Sequence, residues 1–258
     1  MKKIALSLAI LLCCSLASRA EDLTGKQIAD IAEKKNQSAT GLVSTGTIVL
    51  EDLKTNKKET RSFTLLGLLK GGLRNAAFRF TDSRYKDTTF LTMEKNDGDK
   101  LQYIYLKSVG SPRQVESSDK EKNFVDTDMS YEDMGGSKTA DYDYQRLDDK
   151  QVNNRDCYVI EKFPKNKSSK YQKHLILIDR EYWVPVAAKF YSTDGRVVKT
   201  LAADDVRQVA NGIYLPFSLT VTDIAEQHRT TVQLKNAAEK PLNQGYFNKS
   251  RMNKSWAE

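Results

Sequence analysis

The sequence predicts a mainly antiparallel β protein of about eleven strands with one clear helix. Three observations carry this reading. β-Branched, aliphatic and aromatic residues alternate with period two through eleven short segments. The dipeptides Asp97-Gly98, Asp194-Gly195 and Asn211-Gly212 permit the positive φ of tight hairpin turns, so the strands they join run antiparallel. The chain has no strand–helix–strand alternation of the kind a parallel nucleotide-binding sheet needs.

Taken in order, the elements begin with a leader. Lys2 and Lys3 form a positive start, residues 4–16 an apolar stretch, and Ser18-Arg19-Ala20 a small-residue cleavage site. The mature chain then starts near Glu21, and residues 21–258 are read as one domain. Cys13 and Cys14 raise the rival reading of a lipoprotein signal. Leu12 and Cys13 stand before them, however, where acylation calls for a small residue. Over 22–36, Leu23, Ile28, Ile31 and Ala32 recur at helical spacing among polar residues, which predicts an amphipathic helix. Strands follow at 43–50, 61–69, 76–81, 88–93 and 101–106, then at 157–163, 171–178, 184–191, 197–203, 213–222 and 230–234. Between the two sets, 107–156 is polar and acidic at its centre; it reads as a long loop with a short helical turn that crosses the sheet. Residues 239–258 carry Leu242, Tyr246, Phe247 and Trp256, apolar enough to pack back on the body.

Composition narrows the function classes. Of 258 residues 39% are hydrophobic and 29% charged, and no apolar run reaches the roughly 18 residues of a membrane-spanning helix. Without the leader, 38 basic and 34 acidic residues leave a formal charge of +4, a weak argument for nucleic acid. Cys157 is the one cysteine outside the leader, so neither an intramolecular disulfide nor a paired-cysteine metal site is expected.

Catalytic chemistry finds little support. His174 and His228 sit in no metal or nucleophile motif. His174 shares a strand face with Gln172 and Ile176 and reads as part of the sheet, while His228 reads as a solvated hairpin tip. Asp126, Asp128, Glu132 and Asp133 could supply oxygen ligands or a carboxylate pair, but their spacing matches no metal loop; helix capping and local hydrogen bonding are expected of them. Cys157 reads as a small buried apolar residue. Lys120 and Lys122, interleaved with Asp119 and Glu121, read as a solvated loop. No enzyme, metal or cofactor is expected.

The apolar residues say more. Strand parity assigns one face to Phe63, Leu65, Phe78, Phe80, Phe90, Tyr103, Tyr105, Leu175, Leu177, Val186, Phe190, Leu215, Phe217 and Leu219. A single helix, about 10 Å across, cannot cover them all. Either loops and the C-terminal residues close a packed core over this face, or the sheet curves strongly and holds a ligand cavity.

A resemblance bears on that choice. Leu101-Gln102-Tyr103-Ile104-Tyr105-Leu106, Ser111-Pro112-Arg113 and Asp126-Thr127-Asp128-Met129-Ser130-Tyr131-Glu132-Asp133-Met134 resemble the longer subgroup of LolA-like outer-membrane lipoprotein-sorting proteins. The similarity continues through Cys157-Tyr158-Val159-Ile160-Glu161, residues 179–185, Phe190-Tyr191, Asp194-Gly195 and Lys199, then Thr230-Thr231-Val232 and 243–247. Lys107 and Met129 depart from the family pattern, which has proline and an aromatic residue there. The resemblance implies a curved antiparallel half-barrel, closed by the N-terminal helix, loops and short helical segments, around an apolar cavity that shields acyl chains in the periplasm. It makes the fourteen residues above the expected lipid-binding cavity, and residues 22–36 and 107–134 the expected lid. The implied partners are an acylated lipoprotein or lipid, an inner-membrane transporter, an outer-membrane acceptor and, in passing, a membrane surface. Two alternatives stay open: an accessory lipid-binding protein of an RND-type exporter, and a binding module with a filled core.

Overall fold

The computed structural model describes residues 23–256 apart from 83, 136, 137 and 168. The leader expected over 1–20 lies outside the described residues. Thirteen strands form one antiparallel sheet: β1 (Leu42–Asp52), β2 (Lys58–Lys70), β3 (Leu73–Phe80), β4 (Thr89–Glu94), β5 (Lys100–Tyr105), β6 (Pro112–Gln114), β7 (Tyr142–Val152), β8 (Arg155–Pro164), β9 (Tyr171–Asp179), β10 (Pro185–Ser192), β11 (Val197–Ala210), β12 (Ile213–Asp223) and β13 (His228–Glu239). Their order is β6-β5-β4-β3-β2-β1-β13-β12-β11-β10-β9-β8-β7, two meanders joined where β1 pairs with β13. The sheet is not closed into a barrel.

All eleven expected strands are present, and Gly98, Gly195 and Gly212 take the positive φ their turns require. The two additional strands, β6 and β7, both fall in the stretch expected to be loop. β7 carries Asp148, Asp149 and Lys150 because it is an edge strand, where charge keeps the unpaired backbone from recruiting another chain. It joins β8 through Asn153-Asn154, both at positive φ as a two-residue hairpin turn demands.

β6 and β7 lie at opposite edges, so the connection between them must span the sheet. It runs across one face, here called the inner face, as a plug. Helix α1 (Gly25–Lys34) lies on the same face, started by a capping box between Thr24 and Gln27. Its Ile28 and Ala29 are buried against Ile160 of β8 and Ile178 of β9. Gly25 lets the helix approach β7 closely, since a Cβ there would stand 2.9 Å from the Arg146 backbone nitrogen. From the far meander, Arg74 of β3 pairs with Glu33 of α1. The two ends of the sheet therefore curl around the helix.

The outer face of β2–β5 is covered by the C-terminal segment, as expected. Phe247 and Met252 are buried there with Leu66, Leu68, Leu91 and Tyr105. Arg79 fastens the segment by donating to the carbonyls of Lys254 and Met252, both at 2.8 Å, with Trp256 stacked on its guanidinium.

Candidate functional site

The plug divides the inner face into a filled half and an open half. Over β1–β5 it inserts Phe124 and Tyr131 among Phe63, Phe78, Phe80 and Phe90, and all of these are buried. The Phe124 ring lies 5.3 Å from Phe90 and 5.6 Å from Phe78, centroid to centroid. This half is a packed core.

Polar contacts hold the plug in register. The buried Asp128 carboxylate accepts from Thr230 Oγ1 at 2.7 Å and lies 2.7 Å from His228 Nδ1. Its backbone carbonyl accepts from Lys199 Nζ at 2.7 Å. Asp126 faces Arg61, which also donates to the Val125 carbonyl at 2.7 Å. Ser130 and Asp133 cap each other's backbone N–H at the start of α2 (Tyr131–Gly135). The acidic motif thus caps and docks, as expected for it, whereas His228 is no solvated hairpin tip. It sits in β13 beside Asp128 because the plug reaches that strand.

Beyond Tyr131 the plug turns polar and no longer seals the sheet. A chamber of about 260 Å³ remains between it and β8–β12, next to an outer chamber of about 640 Å³. The two share Glu121, Glu132, Tyr142 and Ser169. The β register explains the inner floor. Lys162 pairs with His174, His174 with Phe190 and Phe190 with Lys199, so these four form one cross-strand row facing the same way. Leu201, Leu219 and Val221 complete the floor, and Met129, Ser130 and Asp133 of the plug lie opposite.

His174 is a buried polar group of the chamber wall. It is only 5% exposed, and its ring lies 4.9 Å from Phe190 and 5.0 Å from Tyr171, centroid to centroid. Neither ring nitrogen has a hydrogen-bond partner among the described residues. Burial, with repulsion from Lys162, pushes its pKa down to about 3, so the imidazole is neutral. Burial likewise lowers Lys162 and Lys199 and raises Tyr171. In the outer chamber Lys100 is pushed down to about 8 by burial and by neighbouring Arg74. Among the described residues no group of three or more His, Cys, Asp or Glu could hold a metal ion.

The fourteen residues expected to face one cavity are divided by the structure. Phe63, Leu65, Phe78, Phe80 and Phe90 belong to the filled half. Tyr103 and Tyr105 lie on the outer face, because Phe90 pairs with Ile104 rather than with either tyrosine. Leu175 and Leu177 are on the outer face as well, since Phe190 pairs with His174. Both corrections have one cause: a shift of one residue in register exchanges the faces of a strand. Val186 is buried at the irregularity between β9 and β10. Phe217 is buried with the Arg207 guanidinium over its ring, and Leu215 is half-buried two residues away. Phe190 and Leu219 line the inner chamber. His174 and Lys162 were missed as site residues; the signal available was a histidine and a lysine at inward positions of otherwise apolar strands.

A family model described as "uncharacterized protein" matches residues 72–254, well over half of the chain. The chain belongs to that family, and its fold is LolA-like. Among solved structures it is similar to a domain described as an outer membrane lipoprotein-sorting protein from Vibrio parahaemolyticus, with a TM-score of 0.81 and 22% identity over 89% of this chain and 98% of that one. A DUF1329 family protein from Desulfovibrio piger gives a TM-score of 0.79 at 22% identity, over 88% of this chain and 97% of that one. A LolA superfamily protein from Nitrosomonas europaea gives 0.67 at 18% identity, over 89% and 99%. At these identities the likeness is one of fold. No curated protein matches the chain significantly.

Proposed function

We propose that the protein is an exported, non-enzymatic carrier that binds an acyl chain of a lipid or lipoprotein in the chamber between the plug and β8–β12. The reading takes residues 1–20 as a removed signal, 21–258 as one carrier domain and the periplasm as its compartment. The observation that supports it most is the division of the chamber: Phe190, Leu201, Leu219 and Val221 offer an apolar floor, while the adjoining chamber is lined by lysines and acids. An amphiphile matches that division. Together the two chambers reach the size of small-molecule sites, about 300–1,000 Å³. Each methylene moved from water to the floor contributes about 0.8 kcal/mol, so a single chain can be held without covalent chemistry. Release requires the plug to lift, which suits handover from an inner-membrane transporter to an outer-membrane acceptor during brief contact with a membrane surface.

The filled half over β1–β5 favours the other reading, a binding module with no cargo. Native mass spectrometry of the mature protein, followed by organic extraction, separates the two. A stoichiometric acylated species in the wild type, absent from a folded Leu219→Trp variant whose indole occupies the floor, supports the carrier. A wild type that carries no acyl species and takes up no acyl probe establishes the filled module.

A further inference from the structure

The chamber carries a chemical preference beyond its apolar floor. A neutral imidazole presents one N–H donor and one lone pair, and leaving either unsatisfied in a buried site is unfavourable. His174 has both nitrogens without a described partner in a wall shared with Phe190 and Tyr171. Lys162, Lys170 and Lys199 face Glu121, Glu132 and Asp133 around the same volume, so the lining has no surplus formal charge. Lys199 Nζ is engaged by the Asp128 carbonyl, and Lys170 Nζ by the Glu121 carbonyl at 2.9 Å. A bare carboxylate or phosphate therefore finds no excess of cations there. A neutral oxygen acceptor attached to a hydrocarbon chain matches the floor and, once a small movement of the wall uncovers a buried ring nitrogen, the imidazole as well.

We infer that the inner chamber selects the carbonyl of a neutral acyl group, ester or amide, through a hydrogen bond donated by the ring N–H of His174, with the chain lying on Phe190, Leu201, Leu219 and Val221. This rests on the acyl-carrier reading and assigns its headgroup chemistry. His174 acts as a specificity residue, since the apolar floor alone accepts a chain of any termination.

The chain has two histidines, which gives a direct assay. Uniformly ¹⁵N-labelled mature protein would be titrated with the methyl ester of a medium-length fatty acid carrying a ¹³C-labelled carbonyl, with the N-methyl amide and free acid in parallel. The bound ester is expected to shift the ¹⁵N resonances of the His174 ring and leave those of His228 in place, and its carbonyl infrared band should move to lower frequency. In His174→Phe, which keeps an aromatic ring in the wall, the infrared shift should vanish and ester affinity should fall roughly fivefold, the worth of one ordinary hydrogen bond. Ester and amide should bind the wild type more tightly than the free acid at pH 7. An ester that binds without moving the His174 resonances overturns the inference while leaving the carrier reading intact, as does a stronger response to the free acid. Failure of all three ligands to bind overturns the carrier reading itself.

Discussion

A buried neutral imidazole makes the stability of this protein fall in acid. His174 has an ordinary pKa of 6.5 and a folded value of about 3. Because the folded value is depressed, the stabilisation is fully present above 6.5 and is lost progressively as the pH falls toward 3, where the unfolded chain holds a proton the native one does not. Between pH 7 and pH 4.5 the linkage relation gives a loss of roughly 2–3 kcal/mol from this single group. That figure hardly changes if the folded value is a unit higher, because both pH values remain above it. Carboxylates titrate over the same range, so the informative quantity is a double difference. Urea unfolding of wild type and His174→Phe at the two pH values isolates it: the variant should gain roughly 2–3 kcal/mol on the wild type as the pH drops. A difference that stays constant within about 0.5 kcal/mol would mean that His174 protonates freely in the native state, refuting both its burial and its neutral role in the chamber.

Three further changes test the architecture around the site. Phe124→Ala removes the ring that closes the aromatic half and should destabilise by about 3–5 kcal/mol in urea, while letting a small aromatic probe raise the melting temperature of the variant more than that of the wild type. Asp128→Ala takes away the carboxylate shared by Thr230 and His228; a loss of about 2–3 kcal/mol is expected, with faster proteolysis within 120–135 than elsewhere. Arg79→Ala frees the carbonyls of Met252 and Lys254 from their donor, so limited proteolysis should trim the C-terminal segment first while circular dichroism keeps its β signal.

The strands were legible wherever alternation joined apolar content to a turn signal. Alternation in the sequence marks β11 only to 203, yet the strand continues to Ala210 through Asp204, Asp205 and Arg207, since its far half is polar and alternation in hydropathy fades there. β7 was illegible for a related reason: an edge strand protects itself with charge, and that charge imitates a loop. Helix α1 was visible because Leu23, Ile28, Ile31 and Ala32 form a stripe of helical period near the start of the described residues. Faces could not be read with the same security, because parity within a strand is local whereas pairing between strands is not. The sequence carries Phe90, Tyr103, Ile104 and Tyr105 but no statement that Phe90 meets Ile104.

Whether the inner face is a core or a cavity was undecidable from the strands alone, since either outcome needs large apolar residues facing inward. The deciding residues lie in the connection between β6 and β7. Val115, Phe124 and Tyr131 come early in it and are buried against β1–β5; Glu132, Asp133 and Lys138 come after and offer nothing to seal β8–β12. One segment whose apolar residues run out partway across the sheet therefore produces both a filled half and an open half. The boundary falls where Asp128 meets Thr230 and Lys199. A buried carboxylate and ammonium at that seam hold the plug by directional bonds rather than by apolar packing. The roof of the chamber is thus held at the seam by hydrogen bonds to charged groups, about 1.5–3 kcal/mol each, whereas the filled half is held by burial of whole aromatic rings such as Phe124.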